Sequence, residues 1–227
     1  MKRRPLFKDS MFNHLIISIV ATMLGVIFGI YISNILETKK IREQSEVGTS
    51  KIMTELRSNK DIVARSAEVH IRFANLLEFV QKNIDENDEL ITDQKTMSDF
   101  QKRYPEAIVL QDSTELKPGI FKYVGDIQLD IDNIASFSIS NVAWTSFMQA
   151  NLIATIEYDC AYYLSSLQVM QEEVIRENSA LLTMVKSNAI SDEEMEKIIR
   201  QSRYLADLES SLLQAYEPMD SKLADCL

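Results

Sequence analysis

The chain has 227 residues, with 24 basic and 34 acidic side chains, a formal net charge of −10 and near-neutral mean hydropathy. That length allows a short anchor plus one domain large enough to bury a core. The acidic balance excludes nucleic acid as a natural partner, because phosphates repel it, and it is equally unsuited to lying flat on an anionic membrane.

The average hydropathy hides two unlike regions. Ser10 to Leu36 contains no Asp, Glu, Lys or Arg. Four basic residues and one acid precede this stretch, so the part after it carries 20 basic and 33 acidic residues, a net −13. Residues 1–10 therefore read as a short basic tail, residues 11–36 as a transmembrane helix, and residues 37–227 as a water-soluble domain. A bilayer core needs roughly 20 apolar helical residues, and Leu15 to Ile32 (LIISIVATMLGVIFGIYI) supplies most of them. Met11, Phe12, Ile35 and Leu36 extend it, and Tyr31 suits the interface. A cleaved signal peptide would share the basic start, MKRRPLFK, but would have a shorter apolar core and an Ala-x-Ala-like site after it. The expectation is an uncleaved anchor.

Lys2, Arg3, Arg4 and Lys8 precede the span, while Lys39, Lys40 and Arg42 follow it. The small basic excess ahead of the span predicts a cytoplasmic N-terminus. In a bacterium, that puts the anchor in the inner membrane and the domain in the periplasm. Within the span Ala21, Gly25, Gly29 and Ser33 recur every four residues and form a small-residue stripe on one helix face. Such a face lets two helices approach to backbone distance where no hydrophobic effect drives association. The expected helix–helix contact in the membrane is therefore Ala21, Gly25, Gly29 and Ser33, and the expected assembly is a dimer or higher homo-oligomer. His14, at the cytoplasmic end, reads as an interfacial side chain.

No Pro or Gly separates the span from the helix formers of 35–46, so the helix is expected to run straight out of the membrane. Gly48 and the Ser58–Asp61 cluster are expected soft interruptions. Ile52, Leu56, Val63, His70, Phe73, Leu77, Val80 and Ile84 follow helical spacing and predict one buried face. A helix that long needs a covering partner, from its own domain or in a coiled coil with a second chain. Asp85 to Gln94 reads as a surface loop or frayed helix end. Residues 104–140 form an insert: Pro105 and Pro118-Gly119 break helix, the latter fitting a type II turn, and Ile108/Leu110 and Ile127/Leu129/Ile131 alternate as short strands do. This insert is the expected place of specific recognition.

Helical signals return at Ser140 or Asn141, either of which can cap NVAWTSFMQANL. Ile156, Cys160, Tyr163, Leu167, Met170, Val174, Leu181 and Val185 follow the spacing of a packed helix, with a break at Asn178. Ser191 and Glu194 make a capping box for a last helix carrying Met195, Ile198, Ser202, Leu205, Leu208 and Leu212, which stops before Pro218. The predicted fold is mainly α: one N-terminal transmembrane helix, then a long-helix antiparallel bundle with a small irregular or β-containing insert.

The order of these features resembles an uncharacterised family of single-pass membrane proteins, chiefly from Bacteroidota-type bacteria. The matching text is LGVIFGIYISNILETKKIREQ, followed later by Ala143-Trp144 opening a helix and by Tyr158, Tyr162 and Tyr163 in the next one. The chain departs from that pattern after the span, where Ser33-Asn34-Ile35 stands in place of a Trp that many members carry. The resemblance implies no activity, because the family has none assigned.

Chemistry-bearing motifs are scarce. Only His14 and His70 are available as imidazole bases, and no HExxH, Glu-x-x-His pair, P-loop or GxGxxG occurs. The acidic runs at 85–89 and 192–196 lack calcium-loop spacing. Cys160 and Cys226 have no metal-ligand spacing; they can form one disulfide, but the expectation is one buried small residue and one exposed thiol. Trp144, the single tryptophan, reads as a packing anchor. No catalytic, cofactor-binding or metal residues are therefore assigned. The functional expectation is a non-enzymatic interaction or sensing protein that meets the lipid bilayer, another copy of itself and an unknown protein partner. An accessory subunit of a membrane complex, or a membrane-bound enzyme with an unrecognised site, are the other readings.

Overall fold

A computed structural model describes residues 8–85, 89–128, 134, 137–186 and 191–224. Among them are six α-helices, one short 3₁₀ turn and a three-stranded antiparallel sheet. The first helix, α1 (Lys8–Asn83), runs unbroken for 76 residues, roughly 114 Å at 1.5 Å per residue. It is at once the apolar segment and the spine of the domain. From Ile17 to Gln44 every residue is exposed, and contact with the rest of the chain begins at Ser45. The free stretch after the apolar run is reinforced by i,i+4 pairs, Lys39–Glu43 at 3.8 Å and Arg42–Glu46 at 3.0 Å. Both are exposed, and each stabilises the helix by only about 0.3–0.5 kcal/mol.

Gly48 and the Ser58–Asp61 cluster do not interrupt this helix. Asn59 is buried against a later segment, and Gly48 is where an aromatic ring packs on the backbone. Tertiary contact here overrides weak local propensity.

Two later helices complete the core, α4 (Tyr158–Val185) and α5 (Asp192–Tyr216). Rising α1 numbers meet falling α5 numbers: Arg57 with Asp220 just beyond α5, His70 with Glu209, Glu78 with Arg203, and Gln81 with the carbonyl of Asp192. The two are therefore antiparallel. The same holds for α4 and α5, through Gln171–Tyr216 at 2.6 Å and Glu177–Gln201 at 2.9 Å. Ile52, Val63 and Phe73 of α1, Leu167, Val174 and Leu181 of α4, and Leu205 and Leu212 of α5 share one apolar core. The expected break at Asn178 is absent, since that residue lies buried inside a continuous α4. The Ser191 capping box forms as expected: Glu194 N–H donates to Ser191 Oγ (3.3 Å), and Ser191 N–H donates to Glu194 Oε2 (2.8 Å). After Pro218 a short helix, α6 (Met219–Ala224), folds Met219 and Leu223 back onto the core.

The insert begins earlier than expected. Asp85 to Gln94 is not simply a surface loop: Leu90–Asp93 is strand β1, and Gln94–Arg103 is α2, capped by the Asp93 carboxylate on Thr96 N–H. Hydrogen-bonding to Thr96 holds the Asp93 carboxyl below its ordinary pKa. Strands β2 (Ile108–Lys117) and β3 (Ile120–Ile127) form a hairpin around Pro118-Gly119, giving strand order β1-β3-β2. Gly119 has φ +80°, the value the third residue of a type II turn requires. The period-two signal ends at Ile127; Leu129 and Ile131 lie outside the described residues. This sheet has its own small core of Leu76, Val80, Met97, Phe100, Ile108 and Tyr123, with Phe79 stacked on Phe100 at 3.8 Å. It covers the end of α1 farthest from the apolar segment, roughly 60 Å from Leu36 along the helix.

A groove between the long helix and a short charge-free helix

A surface concavity lies elsewhere, just beyond the apolar segment. Helix α3 (Val142–Gln149) and the 3₁₀ turn Leu152–Thr155 lie along α1 over its Ser45–Asn59 stretch. From Phe137 to Ile156 the chain has no Asp, Glu, Lys or Arg, in a domain otherwise rich in them. Three contacts seat this segment. Phe147, 2% exposed, presses onto the bare backbone of Gly48, where a Cβ would stand only 2.5 Å from its ring. Ser45 Oγ and Thr155 Oγ1 bond at 2.6 Å. Asn59, 1% exposed, clamps the Ser140 backbone with both ends of its amide, donating to the carbonyl (2.7 Å) and accepting from the N–H (3.0 Å).

The start of α3 is capped from across the groove. Neither Ser140 nor Asn141 serves as the expected local cap: the Asn141 side chain makes no cap bond, and Ser140 Oγ stands 3.5 Å from Val142 N. The Glu55 carboxylate of α1 instead accepts from Ala143 N–H (3.0 and 3.2 Å) and from Ser140 Oγ (2.5 Å). An anion at a helix N-terminus satisfies orphan N–H groups and complements the dipole. Trp144 is partly buried and stacks on Phe147 at a centroid distance of 6.4 Å, consistent with a packing role.

Between α1 and α3 runs a groove of about 960 Å³. Its walls are mostly small or apolar, including Val47, Thr54 and Ser58 on α1 and Val142, Ala143 and Ser146 on α3. Val47 is 57% and Val142 67% exposed, a large apolar exposure on facing walls. Four charged side chains line it. Glu43 pairs with Lys39, and Glu55 caps α3. Lys40 and Lys51 have no ion-pair partner among the described residues.

The sequence-predicted contact residues Ala21, Gly25, Gly29 and Ser33 lie exposed on α1, and a Cβ at Gly25 or Gly29 would meet nothing within 4 Å. At about 100° per residue on one unbroken helix, Gly29, Lys40, Val47, Thr54 and Ser58 fall within about 40° of one another. Gly29 and Ser33 thus lead onto the α1 wall of the groove, while Gly25 and Ala21 turn away from it by about 40° per step. Thr22 and Thr54 hydroxyls donate back to the carbonyls of Ser18 and Ser50 (2.8 and 3.0 Å), which hides their polarity within the helix.

Within the core, His70 and Glu209 are both fully buried, and His70 Nδ1 bonds Glu209 Oε2 at 2.8 Å. Ser66 Oγ lies 3.4 Å from that same Nδ1. A Ser-His-acid relay needs nucleophile and acid on opposite ring nitrogens, so this trio has the wrong geometry. His70 Nε2, Glu209 Oε1 and Asn178 Oδ1 are buried without partners among the described residues. Burial raises the Tyr216 phenol to about 12, partly offset by its bond from Gln171. At the α1–α5 seam, hydrogen bonding from Lys82, with Arg203 close by, lowers the Glu78 carboxyl. Among the described residues, no group of three His, Cys, Asp or Glu side chains is placed to hold a metal ion.

Cys160 corrects the sequence expectation of a plain buried thiol. It is disulfide-bonded. The only other cysteine in the chain, Cys226, lies outside the described residues.

Sequence reasoning expected specific recognition in the insert and did not anticipate the groove. The uncharged run 137–156 was the available signal, because depletion of charge marks interface cores. No family model, curated protein or solved structure matches this chain.

Proposed function

We propose that this chain is a single-pass, membrane-anchored, non-enzymatic interaction protein, its domain an antiparallel bundle of long helices held directly above the bilayer. One observation carries the reading: a helix long and apolar enough to cross a membrane continues, without a turn, into the core helix of the domain. The apolar run is exposed on every face, unlike a core helix of a soluble protein. A rigid connection of this kind holds the groove at a set height above the membrane. The Cys160 disulfide supports a domain facing an oxidising compartment, in a bacterium the periplasm, with the N-terminus cytoplasmic. The resemblance to Bacteroidota-type single-pass proteins agrees with this placement.

The test is twofold. The protein should remain in the membrane fraction after alkaline carbonate washing, and a reporter active only in the periplasm should be active when fused after Leu227. Release by carbonate, or activity of a cytoplasm-only reporter at that position, would overturn the anchor or its orientation respectively.

A second copy packed on Ala21, Gly25, Gly29 and Ser33 is one reading of this face, and a different membrane protein packed there is the other. Replacing Gly25 and Gly29 by Leu should then abolish cross-linking in membranes without affecting insertion. The accessory-subunit reading is favoured by one feature. The two unpaired lysines lie on that same face, and a parallel two-fold pair would set Lys40 and Lys51 against their own copies.

A further inference from the structure

We propose that the groove between α1 and α3 is the docking site for an acidic juxtamembrane helix of a different membrane protein. The inference rests on the membrane-anchored reading above and names the partner chemistry of that site. Its first support is the shape of the groove. Small side chains line both walls, Thr54 and Ser58 on one side and Ala143 and Ser146 on the other, which lets a helix backbone sit close. Exposed Val47 on the α1 wall and Val142 on the α3 wall would be covered by apolar side chains of the incoming helix.

The second support is charge. Within a domain of net −13, the free charges of this groove are cationic. Of its two carboxylates, Glu55 is held by the start of α3, and Glu43 lies 3.8 Å from Lys39, which adds a third cation at its edge. The α3 wall belongs to the uncharged run 137–156 and offers no competing partner. Lys40 and Lys51 are eleven residues apart, which is about three turns and about 16 Å on one helix face. A complementary helix therefore carries two carboxylates at that spacing with apolar residues between. The same geometry opposes a second copy, which would bring ammonium against ammonium, and so selects a different chain.

The third support is placement. Lys40 lies four residues past Leu36, about 6 Å beyond the apolar segment. The Gly29–Ser33 end of the small-residue stripe leads into the groove. A partner whose own membrane helix packs on Gly25 and Gly29 would emerge at the lower end of the groove.

The experiment uses the full-length protein in the membranes of its own cell. A photo-activated cross-linking amino acid is placed at Val47 or Val142, with Glu46, which points away from the groove, as the off-face control. Adducts are mapped by mass spectrometry of the cross-linked peptides. The expected result is an adduct to a segment bordering a membrane span of another protein, with carboxylates about eleven residues apart. Its yield should fall roughly tenfold in a Lys40→Glu/Lys51→Glu variant and stay unchanged in Arg42→Glu. Both lysines are exposed, so oxidation of Cys160 and the helical circular dichroism of the variant serve as checks that it folds. Adducts to a second copy of this chain, adducts to lipid alone, or yields at Val47 and Val142 no higher than at Glu46 would each overturn the proposal. Carbonate extraction of the same samples tells this failure from failure of the anchor reading.

Discussion

Replacing Gly48 by alanine should destabilise the domain, although the same change in an exposed helix interior normally stabilises it. Alanine gains up to about 1 kcal/mol over glycine in a helix from reduced backbone entropy loss. At Gly48 the new methyl would stand 2.5 Å from Phe147 Cδ2 and 2.9 Å from Cε2, below any real contact distance. Phe147 is 2% exposed and cannot swing into solvent without losing its burial. Overpacking of this kind costs about 1–3 kcal/mol, so the net effect is a loss of about 1 kcal/mol, or about 2–4 °C in Tm for a domain of this size. Truncating the ring by Phe147→Ala should itself cost about 3 kcal/mol through cavity formation. In that background Gly48→Ala should become stabilising by about 1 kcal/mol, giving a coupling of about 2 kcal/mol between the two sites. The assay is urea unfolding of the full chain in detergent, followed by far-ultraviolet circular dichroism, with hydrogen exchange on α3 as a local readout. If Gly48→Ala raises the midpoint in the parent protein, or shifts it equally in both backgrounds, the close-approach account of this glycine is refuted.

Removing His70 by alanine substitution should destabilise by about 1–3 kcal/mol, because it leaves the fully buried Glu209 side chain without its hydrogen-bond partner. Replacing both members by leucine should cost much less, and equal losses in chemical denaturation would count against the pair. The Tyr216 phenol is raised to about 12, so the unfolded chain loses its proton first as pH rises. Stability should be unaffected below pH ~10 and fall between pH ~10 and ~12 by about 3 kcal/mol; Tyr216→Phe should flatten this limb, and an unchanged profile would deny Tyr216 the role. Glu55→Ala should uncap α3 and cost about 1 kcal/mol, visible as faster hydrogen exchange at Ala143 with little change in α5. Cys160 should resist alkylation under native, non-reducing conditions and react after reduction. Ready labelling without reductant would remove the disulfide from the argument.

Much of the architecture was legible because it is written as periodicity. The charge-free run to Leu36, the stripe from Ile52 to Val80, and the Ser191–Glu194 capping box each report a local rule, and the structure contains an apolar helix, a buried helix face and a capped helix in those places. Such patterns say which face of an element must be covered, but they carry no information on what covers it. Gly48 read as a weak point because propensity sees only neighbours in sequence, while the ring that requires it belongs to Phe147. Glu55 read as one more charged helix former, yet it caps a helix that begins at Val142. The strand at Leu90 formed inside a polar run because its pairing partner, β3, lies some thirty residues on. Whether Cys160 is bridged was left open by its sequence context, and the fold decided it. The groove has the same origin: its two walls come from segments about a hundred residues apart, so only tertiary packing could set uncharged α3 beside the lysines of α1.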